Sequence, residues 1–196
     1  MKVTINNTSD NWEDILDAAR TTANKPSSGK EPSSEWKRRL IHSEHSPLRK
    51  LTIDWTWTDL KYWISVHFCR HKIGIEHFVA SQRTANDGSE RDSSPQGRLV
   101  THNCSANAAE IIFISRKRLC NKAHKETREA WLAFLNELAK YEHELVEACV
   151  PECIYRNGIC PEFNSCGWNW TKDFTKAKEI YLKPLYIKNN VSRDII

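Results

Sequence analysis

Between positions 51 and 57 the chain reads Leu-Thr-Ile-Asp-Trp-Thr-Trp. In an extended strand this puts Leu51, Ile53, Trp55 and Trp57 on one face and Thr52, Asp54 and Thr56 on the other. A face with two indoles and two branched aliphatics must be covered by other elements. The rest of the chain supplies candidates. Lys2 to Ile5 reads as a short strand, and Asn11 to Arg20 as a helix with Ile15, Leu16 and Ala19 at helical spacing. Ala23 to Ser34, with its prolines and serines, reads as a loop. Asp59 to Arg70 fits a helix and Ile75 to Ser81 a second extended stretch, before a polar loop from Ser81 to Pro95. From Asn107 the pattern turns helical, with Asn107, Ile111, Ile114 and Arg118 in one narrow stripe. Lys125 to Cys149 reads as a longer helix whose apolar stripe is Trp131, Phe134, Leu135, Leu138, Tyr141 and Leu145. Strands interrupted by long helices predict an α/β (α+β) fold with a mixed or antiparallel sheet.

At 196 residues the chain has room for one domain with a small appendage. The expected division is a main domain over 1–150 and a Cys-rich C-terminal extension over 151–196, with a short strand near Ile180 to Ile187. No stretch approaches the roughly 20 apolar residues of a membrane span. Met1 to Asp10 carry no apolar run after a basic start, so a cytoplasmic, reducing setting is expected. The net charge of +4 is modest, but Arg70, Lys72 and Arg83 form one basic cluster and Arg116, Lys117 and Arg118 another. Such clusters suit a small anionic ligand better than a nucleic acid.

The basic cluster belongs to the string Arg70-His71-Lys72-Ile73-Gly74-Ile75-Glu76-His77-Phe78-Val79-Ala80-Ser81-Gln82-Arg83. Three further segments accompany it in order: Ala18-Ala19-Arg20-Thr21-Thr22, His42-Ser43-Glu44-His45-Ser46-Pro47, and Asn107-Ala108 with Arg118. Together they resemble the flavin-dependent thymidylate synthases, whose signature is Arg-His-Arg followed by a Ser and then an Arg. Here Lys72 stands for the second Arg, and the spacing to Ser81 is one residue longer. A long helical insertion of the family is replaced by Thr84 to Ser105.

The resemblance implies a flavin-dependent thymidylate synthase-like fold and a set of roles. Thr22, Ser46, Arg70, His71, Lys72 and Asn107 would line an FAD site, while Ser81, Arg83 and Arg118 would hold dUMP, with Arg118 also stabilising charge during catalysis. The implied reaction is reductive methylation of dUMP to dTMP, with methylenetetrahydrofolate and NADPH as co-substrates, in a homotetramer whose sites draw on several subunits. The chemistry agrees with these roles. Hydroxyls and amides orient a flavin by hydrogen bonds, and arginine grips phosphate or a pyrimidine edge through its planar fork. Two other readings stay open: a flavoenzyme acting on another pyrimidine nucleotide, and a non-enzymatic basic or zinc-containing nucleic-acid-binding protein. Cys149, Cys153, Cys160 and Cys166, in a loop-rich tail, are candidate ligands of a structural zinc, against the plainer reading of packed free thiols.

Overall fold

The alternation at 51–57 is the centre of the molecule. In the computed structural model, which describes residues 1–9, 11–83, 88 and 90–186, strand β2 (Thr52–Lys61) lies between β1 (Lys2–Ser9) and β4 (Leu99–Asn107). Strand β3 (Ile75–Val79) pairs with β4 on its other side, giving the order β1-β2-β4-β3 with every pairing antiparallel. The polar face of β2 carries a lattice of short hydrogen bonds: the Asn6 and Asn103 amides both donate to Asp54, at 2.8 and 2.7 Å. The apolar face is wholly buried, with Ile53, Trp55 and Trp57 all at 0% exposure. One dry face and one polar face is the usual state of an antiparallel sheet.

The dry face is covered by helices from three places in the chain. Helix α3 (Tyr62–Phe68) leaves directly from the end of β2, where a bulge between Trp57 and Leu60 and a left-handed Asp59 (φ 57°) turn the strand. Its Phe68 stacks on Trp57 with ring centres 4.7 Å apart and planes within 6°. Helix α4 (Ala108–Arg118) continues from β4. Helix α5 (Lys125–Leu138) brings Phe134 onto Trp55 at 4.2 Å. The Trp57 indole donates to the Ala130 carbonyl (3.1 Å) and that of Trp131 to the Ser115 hydroxyl (2.9 Å), whereas the buried Trp55 N–H meets no acceptor among the described residues. Helices α1 (Trp12–Thr22) and α2 (Ser34–His42), followed by a 3₁₀ turn over Ser46–Lys50, close the remaining side.

Several local expectations change. The helix expected over Asp59 to Arg70 is shorter, because β2 holds its partner β4 through Lys61. The long helix expected over Lys125 to Cys149 stops at Leu138 and resumes as α6 (His143–Glu147). Tyr141 therefore leaves the stripe and is 60% exposed, whereas Trp131, Phe134, Leu135, Leu138 and Leu145 are buried as expected. Instead of a strand near Ile180 the tail forms α8 (Lys172–Tyr186); Ile187 lies outside the described residues. Before it come α7 (Glu152–Tyr155) and a 3₁₀ turn at Trp168–Trp170. The tail docks on α4: Lys117 pairs with Glu152 at 3.0 Å, and the Arg116 guanidinium lies 3.5 Å over the Tyr155 ring. Among the described residues no helix is long and apolar enough to cross a membrane.

Candidate functional site

The segment between α3 and β3 carries Arg70, His71 and Lys72 and is held by its neighbours at both ends. At its start the His71 amide donates to the Phe68 carbonyl at 2.9 Å. At its end Gly74, with φ of 75°, packs against the start of α4: the Asn107 amide donates to the Gly74 carbonyl at 3.0 Å. A Cβ at position 74 would lie 2.4 Å from the Asn107 side-chain nitrogen. Asn107 is also the N-cap of α4, its oxygen accepting from the Glu110 amide at 3.0 Å. Loop and helix therefore meet with no spare room.

His71 is nearly buried and sits between Glu110 and Arg118. Arg118 donates from Nε to His71 Nε2 at 3.0 Å and from a terminal nitrogen to the His67 carbonyl. Accepting from an arginine requires an unprotonated Nε2, so the ring is neutral with its proton on Nδ1, which faces Glu110 at 3.7 Å. Burial, reinforced by the Arg118 charge, pushes His71 down to about 4. Burial alone raises the Glu110 carboxyl to about 7. Between these values both groups are uncharged, so their contact is not an ion pair. Arg118 is itself lowered by burial and then by its neighbour Arg70. The corner thus concentrates positive charge, from Arg70 and Arg118, beside a neutral imidazole and the N-terminal end of a helix.

Glu110 gives a direct test. Its folded pKa lies above the usual 4.5, so its contribution to stability is complete below about pH 4.5 and is lost as pH rises through about 7. Glu110→Gln should therefore raise the urea midpoint at pH 8 by an amount equivalent to about 1 to 3 kcal/mol and leave it nearly unchanged at pH 4.5. Equal midpoints for variant and parent at pH 8 would mean that the carboxylate is well solvated.

Neither a family model nor a curated protein matches the sequence. The fold does have close counterparts. A crystal structure of the flavin-dependent thymidylate synthase ThyX from Helicobacter pylori, complexed with FAD and dUMP, matches with a TM-score of 0.63 at 18% identity, over 76% of this chain and 100% of that one. A second structure of the same enzyme with FAD and dUMP gives a TM-score of 0.64 at 17% identity, over 76% and 99%. The chain has the fold of the flavin-dependent thymidylate synthases.

On this thymidylate synthase fold the residues singled out in the sequence fall into groups. His71 links Glu110, whose amide Asn107 caps, to Arg118, with Arg70 beside Arg118 and Lys72 exposed on the same loop. Ser81 and Arg83 are exposed beyond the far end of β3, the Ser81 hydroxyl accepting from the Arg83 amide at 3.3 Å. Ser81 lies four steps of chain beyond His77, whose Nε2 meets the His71 carbonyl at 3.0 Å, a span of about 13 Å at 3.3 Å per residue. The Ser81 and Arg83 side chains both face solvent rather than the buried His71–Glu110 contact.

Thr22 and Ser46 lie elsewhere, close in sequence to residues of a hollow that neither of them lines. A cavity of about 260 Å³ between α1 and α2 is lined by Leu16, Ala19 and Trp36 on its apolar side and by Arg20, Arg39 and His45 on its polar side. Thr22, exposed at the end of α1, donates its hydroxyl to the Ala19 carbonyl at 2.7 Å, and Ser46 is exposed just after His45. Trp36, Arg39 and Glu110 went unnoticed in the sequence. The helical spacing of Trp36 and Leu40 before His42 was the available signal for α2; nothing local marked Glu110.

The tail cysteines regroup. Cys153, Cys160 and Cys166 line a small cavity of about 20 Å³ together with Cys120, which follows α4. Cys149 does not line it; its buried thiol donates to the Leu145 carbonyl at 3.4 Å, and burial pushes it up to about 12.

Proposed function

We propose that this chain is a flavin-dependent enzyme of the thymidylate synthase type, binding FAD and a pyrimidine nucleotide, with dUMP as the favoured substrate and dTMP as the product. The observation that carries the reading is the meeting of the Arg70-His71-Lys72 loop with Asn107 and Arg118 at the start and end of α4, on a fold shared with an enzyme crystallised with FAD and dUMP. The donor set fits both ligands. Exposed Arg70 and Lys72 suit phosphate oxygens, and the α1/α2 cavity pairs an apolar wall including Trp36 with the cations Arg20 and Arg39. When bound, reduced flavin would supply hydride and methylenetetrahydrofolate the carbon, with NADPH as the source of electrons. The protein's part is positioning: Asn107 fixes the loop, and Arg118, anchored on His71, places positive charge where negative charge develops on the pyrimidine.

The exposure of Ser81 and Arg83 beyond β3 suits a site assembled from more than one copy, as in a homotetramer. Arg83 of one chain would then meet a nucleotide held near Arg70 of another.

The test is the visible spectrum of the purified protein. Bound oxidised flavin should give a band near about 450 nm, and Arg70→Ala should abolish its retention. Arg118→Ala should weaken dUMP binding by at least about tenfold, roughly 1.4 kcal/mol, and weaken flavin binding less. A colourless protein that FAD does not reconstitute would refute the proposal, and the reverse order of effects would refute this division of roles.

A further inference from the structure

Behind the Arg70–Lys72 loop lies a cluster of side chains with no part in the proposed reaction. Strand β4 presents His102 and Cys104 to the interior, both at 0% exposure. The register sets His77 of β3 opposite Cys104, and Cys69 arrives from the turn after α3. Ligand atoms of Cys69, His77 and His102 all lie within 4.8 Å of one another. The Cys104 sulfur is 3.2 Å from His77 Nδ1 and 3.2 Å from His102 Nε2, and those two nitrogens are 3.0 Å apart.

The protonation of His77 follows from its other nitrogen. His77 Nε2 is 3.0 Å from the His71 carbonyl, which only accepts, so Nε2 carries the proton and Nδ1 turns a lone pair toward the cluster. An imidazole that donates one N–H to a backbone carbonyl and offers its second nitrogen inward has the outer-shell arrangement of a metal-bound histidine. Zinc bound at about 2.0 Å to nitrogen and 2.3 Å to sulfur defines a tetrahedron with edges of about 3.3 to 3.8 Å. The separations around His77, His102 and Cys104 are within a few tenths of an ångström of that range.

We infer that Cys69, His77, His102 and Cys104 form a zinc-binding site. Two sulfurs and two imidazoles select zinc over the harder divalent ions, and the Cys69 sulfur, which groups within 4.8 Å with the two histidines but not with Cys104, would swing inward to complete the tetrahedron. Four protein ligands leave no open position, so the ion is structural. Binding releases the two thiol protons to solvent, and the thiolates with two neutral imidazoles balance the charge of Zn²⁺. The site also bears on the neighbouring loop. Through His77 it holds the His71 carbonyl, tying Arg70, His71 and Lys72 to β3 and β4. Zinc binding here is independent of whether the chain uses flavin.

The same donors without a metal would make a hydrogen-bonded His-His-Cys cluster, and the experiment must separate the two. Untagged full-length protein, purified without chelators and supplied with zinc, should retain the metal, and its zinc X-ray absorption fine structure should show an imidazole shell together with sulfur. Metal-free protein, or a sulfur-only shell of the kind that Cys120, Cys153, Cys160 and Cys166 would give, overturns the inference. His77→Asn and Cys104→Ser should each lower zinc content by about one equivalent per chain relative to the parent. Folded variants that keep the parent's zinc content also overturn it. If either variant fails to fold, the spectrum of the parent protein decides alone.

Discussion

Gly74→Ala should cost about 2 to 3 kcal/mol of stability and remove ligand retention as well. An L-residue in the left-handed region costs about 1 to 2 kcal/mol, and Gly74 has φ of 75°. The new methyl would lie 2.4 Å from the Asn107 side-chain nitrogen and 3.3 Å from its Cγ, so Asn107 must move. Moving it costs the cap of α4, worth about 1 kcal/mol, and shifts a residue proposed for the flavin site. Gly29 is the internal control, because it has a similar φ of 58° and an added methyl there would meet nothing within 4 Å. Gly29→Ala should show the backbone cost alone, with ligand binding intact. Urea titrations of both variants, read beside their 450 nm absorbance, separate strain from collision. Equally mild effects of the two substitutions would rule out a collision at Asn107.

Trp57→Ala should be the most destabilising single change, by about 3 to 5 kcal/mol, a large part of the roughly 5 to 15 kcal/mol typical of a domain. Trp57 has no exposed surface, stacks on Phe68, and contacts Trp55, Trp131 and Phe134. Its indole also satisfies the Ala130 carbonyl. The consequence reaches the candidate site, because Phe68 stands two residues before Arg70. Trp57→Phe, which keeps a ring but not the N–H, should cost clearly less than the alanine. Equal losses for the two variants, measured by urea midpoint, would show that area burial is not what Trp57 contributes.

How much of this was legible in the sequence depended on how conventional each face was. The strand at 51–57 and the stripe of α5 were readable because their buried positions hold large apolar residues at the right period. Strand β4 was not read, although it alternates as regularly. Its inward residues are His102, Cys104 and Ala106, which an apolar pattern does not register. The break at Leu138 was hidden because Tyr141 continues the helical spacing while the backbone has already left it. In the site, the residues of the Arg70 triplet were visible as a motif. Glu110 was not, since its significance comes from a packing contact with His71, distant in sequence, rather than from any local pattern. The cysteine set likewise depended on topology, with Cys120 brought to the tail by the end of α4 and Cys149 withdrawn into the core.

Helix α4 joins regions that the chain order keeps apart. Asn107 caps its first turn against Gly74, Arg118 ends it against His71, and Lys117 and Arg116 face the docked tail. A hydrogen-bonded helix transmits displacement with almost no slack, so it behaves as a rigid strut between the two ends. Shifting α4 along its axis would therefore disturb the tail contacts of Arg116 and Lys117 and the Arg118–His71 contact at once.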